Sequence, residues 1–263
     1  MAHNSKPERI FATRPSEQNS GWCELLAQAG FAVLAVPVLG IVPVQEPERR
    51  QAIKNLILNI DQFEKIIFVS QNAARETLRW LDEFWPQLPA DIEYFAVGRK
   101  TGQVLSENGI SASSCLDAMD SDDLLSLPAL ERVAGQKILI CRGCGGRPRL
   151  GEQLTARGAA VTYGEFYQRT LPDTAISALR NSDFGRGDYR EIISVFSGES
   201  LSNLIQVLTL AEIHQWRELP LLVPGQRVAQ QARECGFAQI ITAVNATDAA
   251  MLDALRHWLQ RWL

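Results

Sequence analysis

Two arginines stand at matching places along the chain, each just past an apolar run: Arg14 in "RIFATRP" and Arg142 in "KILICRG". A guanidinium at the end of a buried strand can grip a carboxylate through two hydrogen bonds, and residues in such loops commonly carry function. Serines hold comparable places, Ser70 closing "KIIFVSQ" and Ser197 and Ser200 lying in "FSGES". Their hydroxyls suit either ligand binding or helix capping, and capping is the commoner role of serine where a strand turns into a helix.

Other chemical patterns fail on spacing. "CRGC" sets Cys141 and Cys144 in C-x-x-C order, but a redox pair needs its first cysteine to open a helix, whereas Cys141 still belongs to the strand and the next helix waits until about Pro148. In "RGCGGRP" the glycines at 143 and 145 begin a dinucleotide fingerprint that Pro148 breaks, and no Lys-Ser or Lys-Thr follows to make a phosphate loop. "GESLS" carries Ser202 where a nucleophile elbow needs its last glycine. The histidines His3, His214 and His257 have no metal-ligand spacing with one another or with cysteine, so no metal site is expected.

The elements that must position these residues alternate. The runs "RIFATRP", "KIIFVSQ", "YFAVGR", "KILICRG", "EIISVFSG" and "LPLLVPG" read as buried parallel strands, and an amphipathic stretch follows each. Leu25, Leu26 and Ala29 share one helical face after "GW", as do Leu204, Val207, Leu208 and Ala211 after "SGES". The first three units repeat in the last three, including a glycine at the end of "YFAVGR" and "LPLLVPG". Two similar α/β domains follow, of doubly wound parallel-sheet type. The C-terminal "MLDALRHWLQRWL" reads as a helix covering a sheet rather than a membrane or partner helix.

Composition bounds the partners. The 263 residues are 46% hydrophobic, enough for two cores, and the net charge of -4 lacks the basic excess of a nucleic-acid surface. No run reaches 18 apolar residues and the first ten residues hold no apolar core, so a cytoplasmic protein without a membrane span is expected. Five cysteines, with Cys23, Cys115 and Cys235 scattered, read as reduced thiols.

Taken in order, "TRP", "VSQNA", "AVGRKT", the run "LICRGCGGRPRLGEQLTARGAAVTYGEFYQRTLP", "FSGES" and "VPGQRVAQQARECGF" resemble the uroporphyrinogen-III synthase family over nearly the whole chain. The resemblance implies two flavodoxin-like domains, residues 1–38 with 171–263 and residues 39–170, joined by linker strands near 36–44 and 164–172 with a cleft between the domains. It also implies a cofactor-free enzyme that dehydrates and cyclises hydroxymethylbilane, a linear tetrapyrrole, inverting ring D. Such a substrate carries many carboxylates, and the strand ends would meet them. The candidates are Thr13 and Arg14; Ser70, Gln71 and Asn72; Gly98 and Thr101; Arg142 and Gly143; Ser197, Gly198, Glu199 and Ser200; and Gly225 with Arg227. Glu199 suits a pyrrole N–H or simply a helix dipole. Tyr167, in the second linker strand, would face the cleft and either donate a proton to the departing hydroxyl or only pack and orient there, the main task of the protein being to hold the chain folded for the inverted closure. A monomer is expected, with transient contact with the bilane-forming enzyme. The alternative is a non-enzymatic two-domain binding protein for a small anionic ligand, since strand-end donors would serve that equally well.

Overall fold

The computed structural model describes residues 6–89, 91–113, 121–184 and 186–261. His3 and Cys115 lie outside them, as does the side chain of His214. The chain divides into two compact units, residues 1–40 with 170–263 and residues 41–169.

The first unit is built from β1 (Glu8–Ala12), α1 (Ser16–Gln28) and β2 (Ala32–Ala35). The second contains β3 (Gly40–Pro43), α2 (Pro47–Leu58), β4 (Lys65–Phe68), α3 (Gln71–Phe84), β5 (Glu93–Ala96), α4 (Arg99–Glu107), β6 (Ala112–Ser113), α5 (Ser121–Leu125), α6 (Pro128–Glu131), β7 (Lys137–Gly143), α7 (Arg149–Ala156) and β8 (Ala160–Thr170). The chain then completes the first unit with α8 (Thr174–Asn181), β9 (Arg190–Ser194), α9 (Gly198–Leu210), β10 (Leu221–Pro224), α10 (Gly225–Glu234), β11 (Ile240–Ala243) and α11 (Asp248–Leu259).

Both sheets have one topology. In the first unit the order is β11-β10-β9-β1-β2, and in the second β3-β8-β7-β4-β5-β6. Numbered from β1 or from β7, each five-strand set runs 2-1-3-4-5, the flavodoxin-like doubly wound order, with β3 added at one edge of the second sheet. The pairings are parallel throughout these sets. Pro43 sits on the edge strand β3, where a residue without an N–H costs no ladder bond.

Period-2 alternation sends side chains to two cores in each unit. On β1, Phe11 joins the core formed with α8, α9 and α10, while Ile10 and Ala12 join that of α1 and α11. On β4, Ile66 and Phe68 face α2, α3 and α4, and Ile67 faces α5, α6 and α7. Leu204, Val207 and Leu208 are fully buried on α9, and Met251 and Leu255 on α11, which covers the first sheet.

Three local expectations need correction. Helix α1 starts at Ser16, ahead of "GW", so its buried face also includes Asn19 and Trp22; the polar "SEQNS" masked the period. "GEFYQRTLP" does not follow a finished strand: Ala160 to Thr170 form one eleven-residue strand, and the chain passes from the second unit to the first after Arg169. "VPVLGIVPV" is not one strand: β2 ends at Ala35 and β3 begins at Gly40.

Candidate active site

In a doubly wound sheet, ligands bind beyond the carboxyl ends of the strands where the winding reverses. That switch point falls between β1 and β9 in the first unit and between β7 and β4 in the second. Arg14 and the Ser197 turn follow the first pair, and Arg142, Gly143 and Ser70 end or follow the second.

The two arginines occupy matching surroundings. Arg14 stacks 3.6 Å above the Phe196 ring and pairs with Asp248 in the first turn of α11. Burial pushes its guanidinium down from the ordinary arginine range, and Asp248 opposes that shift. Arg142 stacks 3.7 Å above Tyr163, donates to Glu165 Oε1 at 2.9 Å and donates to the Gly146 carbonyl at 3.0 Å. In both arginines Nε is buried with no hydrogen-bond partner. Each guanidinium is thus held flat and partly neutralised by a carboxylate of its own unit, an arrangement that pre-orients it for a second anion.

The serines cap. Ser70 accepts from the Ala73 N–H at 3.1 Å, and Ser197 accepts from the Ser200 N–H at 3.0 Å. Their extended dihedrals are almost the same, φ -165° and ψ 162° against φ -160° and ψ 163°. Capping leaves each hydroxyl hydrogen for another partner: Ser197 lies 2.9 Å from Ser200 Oγ, and Ser70 lies 3.2 Å from the Tyr167 hydroxyl. Gln71 and Asn72, in the first turn of α3, and Gly198, opening α9, are half-buried. Glu199 is exposed in the acidic first turn of α9. Gly98 and Gly225 have φ of +79° and +72°, so a positive-φ glycine recurs where β5 and β10 turn into helices. Arg227 is exposed on α10, its guanidinium near Gly198.

Several candidates point inward instead. Thr13 is 0% exposed, its hydroxyl donating to the Ser194 carbonyl at 2.7 Å, so it ties β1 to β9. Thr101 and Ser200 are also buried. Tyr167, expected to face a cleft, is 1% exposed and belongs to the core of the second unit. The reason is a bulge: Arg142 pairs with Glu165 but Gly143 with Tyr167, so Phe166 has no partner and both aromatic rings enter the same core. The Tyr167 ring fits only because residue 143 is glycine; a Cβ there would lie 2.6 Å from Cε2 and Cζ. Its hydroxyl therefore reaches the β7/β4 switch point from beneath.

Glu165, Tyr163, Phe196 and Asp248 were not anticipated. Glu165 and Tyr163 share a face with alternate residues of "TYGEF", a signal in the sequence; Asp248, 234 residues from Arg14, has no local signal.

The family model for uroporphyrinogen-III synthase HemD matches residues 20–253. The chain belongs to the uroporphyrinogen-III synthase family. The uroporphyrinogen-III synthase of Escherichia coli (strain K12) is 34% identical over 256 residues, covering 94% of this chain and 99% of that one. That of Salmonella typhimurium (strain LT2) is 34% identical over 254 residues with the same coverage. Among solved structures, a mutant uroporphyrinogen III synthase from the extremely thermophilic bacterium Thermus thermophilus superposes with a TM-score of 0.62 at 19% identity, covering 97% of this chain and 99% of that one. The Helicobacter pylori 26695 protein gives 0.58 at 14% identity, covering 96% and 99%. These two show the shared fold of the synthase family, and membership over this length displaces the binding-protein alternative.

Proposed function

We propose that this chain closes hydroxymethylbilane to uroporphyrinogen III, a lyase-type step of tetrapyrrole biosynthesis, and that Tyr167 gives a proton to the hydroxyl that leaves. Family membership supplies the reaction. The observation that favours Tyr167 is its placement: a bulge, a glycine at 143 and the capping Ser70 bring its phenol to the strand ends where a doubly wound sheet meets its ligand. Because the ring is covered, the role requires the turn at Gly143, Cys144, Gly145 and Gly146 to shift when substrate binds. Arg14 and Arg142, each with a buried and unpaired Nε, are the proposed holders of substrate carboxylates. The helix N-termini at Ser70 and Ser197 add oriented N–H groups. The rest of catalysis is positioning, which favours attack at the substituted carbon of ring D over direct closure.

Tyr167→Phe tests this. General acid help is worth ~10²- to 10⁴-fold, so turnover should fall toward the lower end of that range while the melting temperature holds, with the product still scored as type III or type I isomer. Unchanged turnover would remove the acid role and leave Tyr167 a packing residue. In this reading the chain works as a monomer in the cytoplasm and meets the bilane-forming enzyme transiently. The net charge of -4 argues against a nucleic-acid partner, and among the described residues no helix is long and apolar enough to cross a membrane.

A further inference from the structure

We infer that Ser70 is the positioning residue for the Tyr167 phenol and donates its hydroxyl hydrogen to the oxygen left negative when Tyr167 gives up its proton. This rests on the reading of Tyr167 above and adds a second group to it.

Ser70 Oγ stands 3.2 Å from the Tyr167 hydroxyl and accepts from the Ala73 N–H at 3.1 Å. A serine hydroxyl has one hydrogen and two lone pairs. With a lone pair engaged by the first turn of α3, its hydrogen is left for the phenol. The first unit supplies an internal comparison. Ser197 makes the same cap with nearly the same dihedrals, yet its hydroxyl meets Ser200 Oγ at 2.9 Å, three residues away. Three residues after Ser70 stands Ala73, which has no hydroxyl to compete. The residue after Arg14 is Pro15, whereas the residue after Arg142 is Gly143, which leaves room for the ring. A cap alone needs neither small residue. Together they turn the Ser70 hydroxyl away from its own helix and toward a phenol 97 residues distant. α3 is fourteen residues long, and the positive end of its dipole favours negative charge developing at this spot.

The step balances. The substrate C–O bond breaks with its electron pair on oxygen, which takes the Tyr167 proton and leaves as water. The carbon becomes a pyrrole-stabilised cation, and loss of that pyrrole's N–H proton gives the azafulvene. That proton returns to the phenolate. Ser70 keeps its own proton throughout and only shares it.

The test is a mutant cycle read with hydroxymethylbilane. Ser70→Thr retains both cap and donor and should keep a kcat near wild type. Ser70→Asp retains the cap but offers only acceptors. Losing a hydrogen bond to a charged oxygen should lower kcat by ~10- to 100-fold, with the melting temperature little changed and KM raised equally in both tyrosine backgrounds by the added carboxylate. In a Tyr167→Phe background Ser70→Asp should have no further effect on kcat. If Ser70→Asp turned over at the wild-type rate while Tyr167→Phe was slow, the Ser70 role would fall and the tyrosine role stand. An equal loss in both backgrounds would also overturn it, by showing that Ser70 acts other than through the phenol. Wild-type turnover in Tyr167→Phe would sink the acid reading itself. Should Ser70→Asp fail to fold, Ser70→Ala read in the same two backgrounds gives the same decision.

Discussion

Replacing Gly143 with alanine inserts a single methyl group where the site is tightest. The added carbon would sit 2.6 Å from two ring carbons of Tyr167 and 3.1 Å from its hydroxyl. To restore ordinary contact the ring or the turn must retreat by about 0.8 Å. Gly143 has no positive φ, so the effect is steric and not a matter of backbone conformation. Overpacking of this kind costs about 1–3 kcal/mol, which for a chain of this length lowers the melting temperature by roughly 2–4 °C per kcal/mol. Activity should suffer more, because a misplacement of about 1 Å at a reacting group can cost ~10²-fold. The assay is turnover of hydroxymethylbilane with the oxidised product separated by isomer, beside a thermal melt. Gly145→Ala is the control on the same turn: its φ is +69° but nothing lies within 4 Å of the added carbon. That variant should lose about 1 kcal/mol of stability and less turnover than Gly143→Ala, since it strains the turn that must shift without touching the phenol. Gly143→Ala with wild-type turnover, or Gly145→Ala with an equal loss, would refute the claim that this close approach sets the phenol.

Arg14→Lys and Arg142→Lys preserve charge but lose the planar fork and the ring stacking; each should raise KM several-fold with kcat nearly unchanged, which steady-state kinetics will separate. Cys141 is fully buried and its thiol is pushed up to about 12 by that burial, against a hydrogen bond from Thr77. Its folded value lies above its unfolded one, so stability is intact below about pH 8.5 and declines as pH rises toward 12, where the unfolded chain has released a proton that the native chain retains. The slope should reach about 1.4 kcal/mol per pH unit, and denaturant titrations at several alkaline pH values should find it reduced in Cys141→Ala. The same burial predicts that native protein shields Cys141 from a thiol reagent that labels the half-buried Cys144.

The strands were legible because buried parallel strands are short apolar runs bounded by turn residues, and "KIIFVSQ" and "EIISVFSG" show that without any tertiary knowledge. The repeat was legible for the same reason, and it led to Arg14 and Arg142 as equivalents. The start of α1 was hidden because "SEQNS" has no apolar period, and its burial of Asn19 depends on a hydrogen bond to the Ala12 carbonyl. The length of β8 was hidden because a chain that stays extended gives no local mark of where a strand ends.

What the amino-acid order determined by itself is therefore the set of elements, their doubling and the residue types at strand ends, since periodicity and turn chemistry act between near neighbours. The tertiary structure alone decided that Thr13 is a tie between strands, that Asp248 holds Arg14, and that Tyr167 lies buried with its hydroxyl on Ser70. Those outcomes rest on contacts 97 to 234 residues apart and on one unpaired residue in a strand register. A register is a relation between two strands, so neither strand carries it alone.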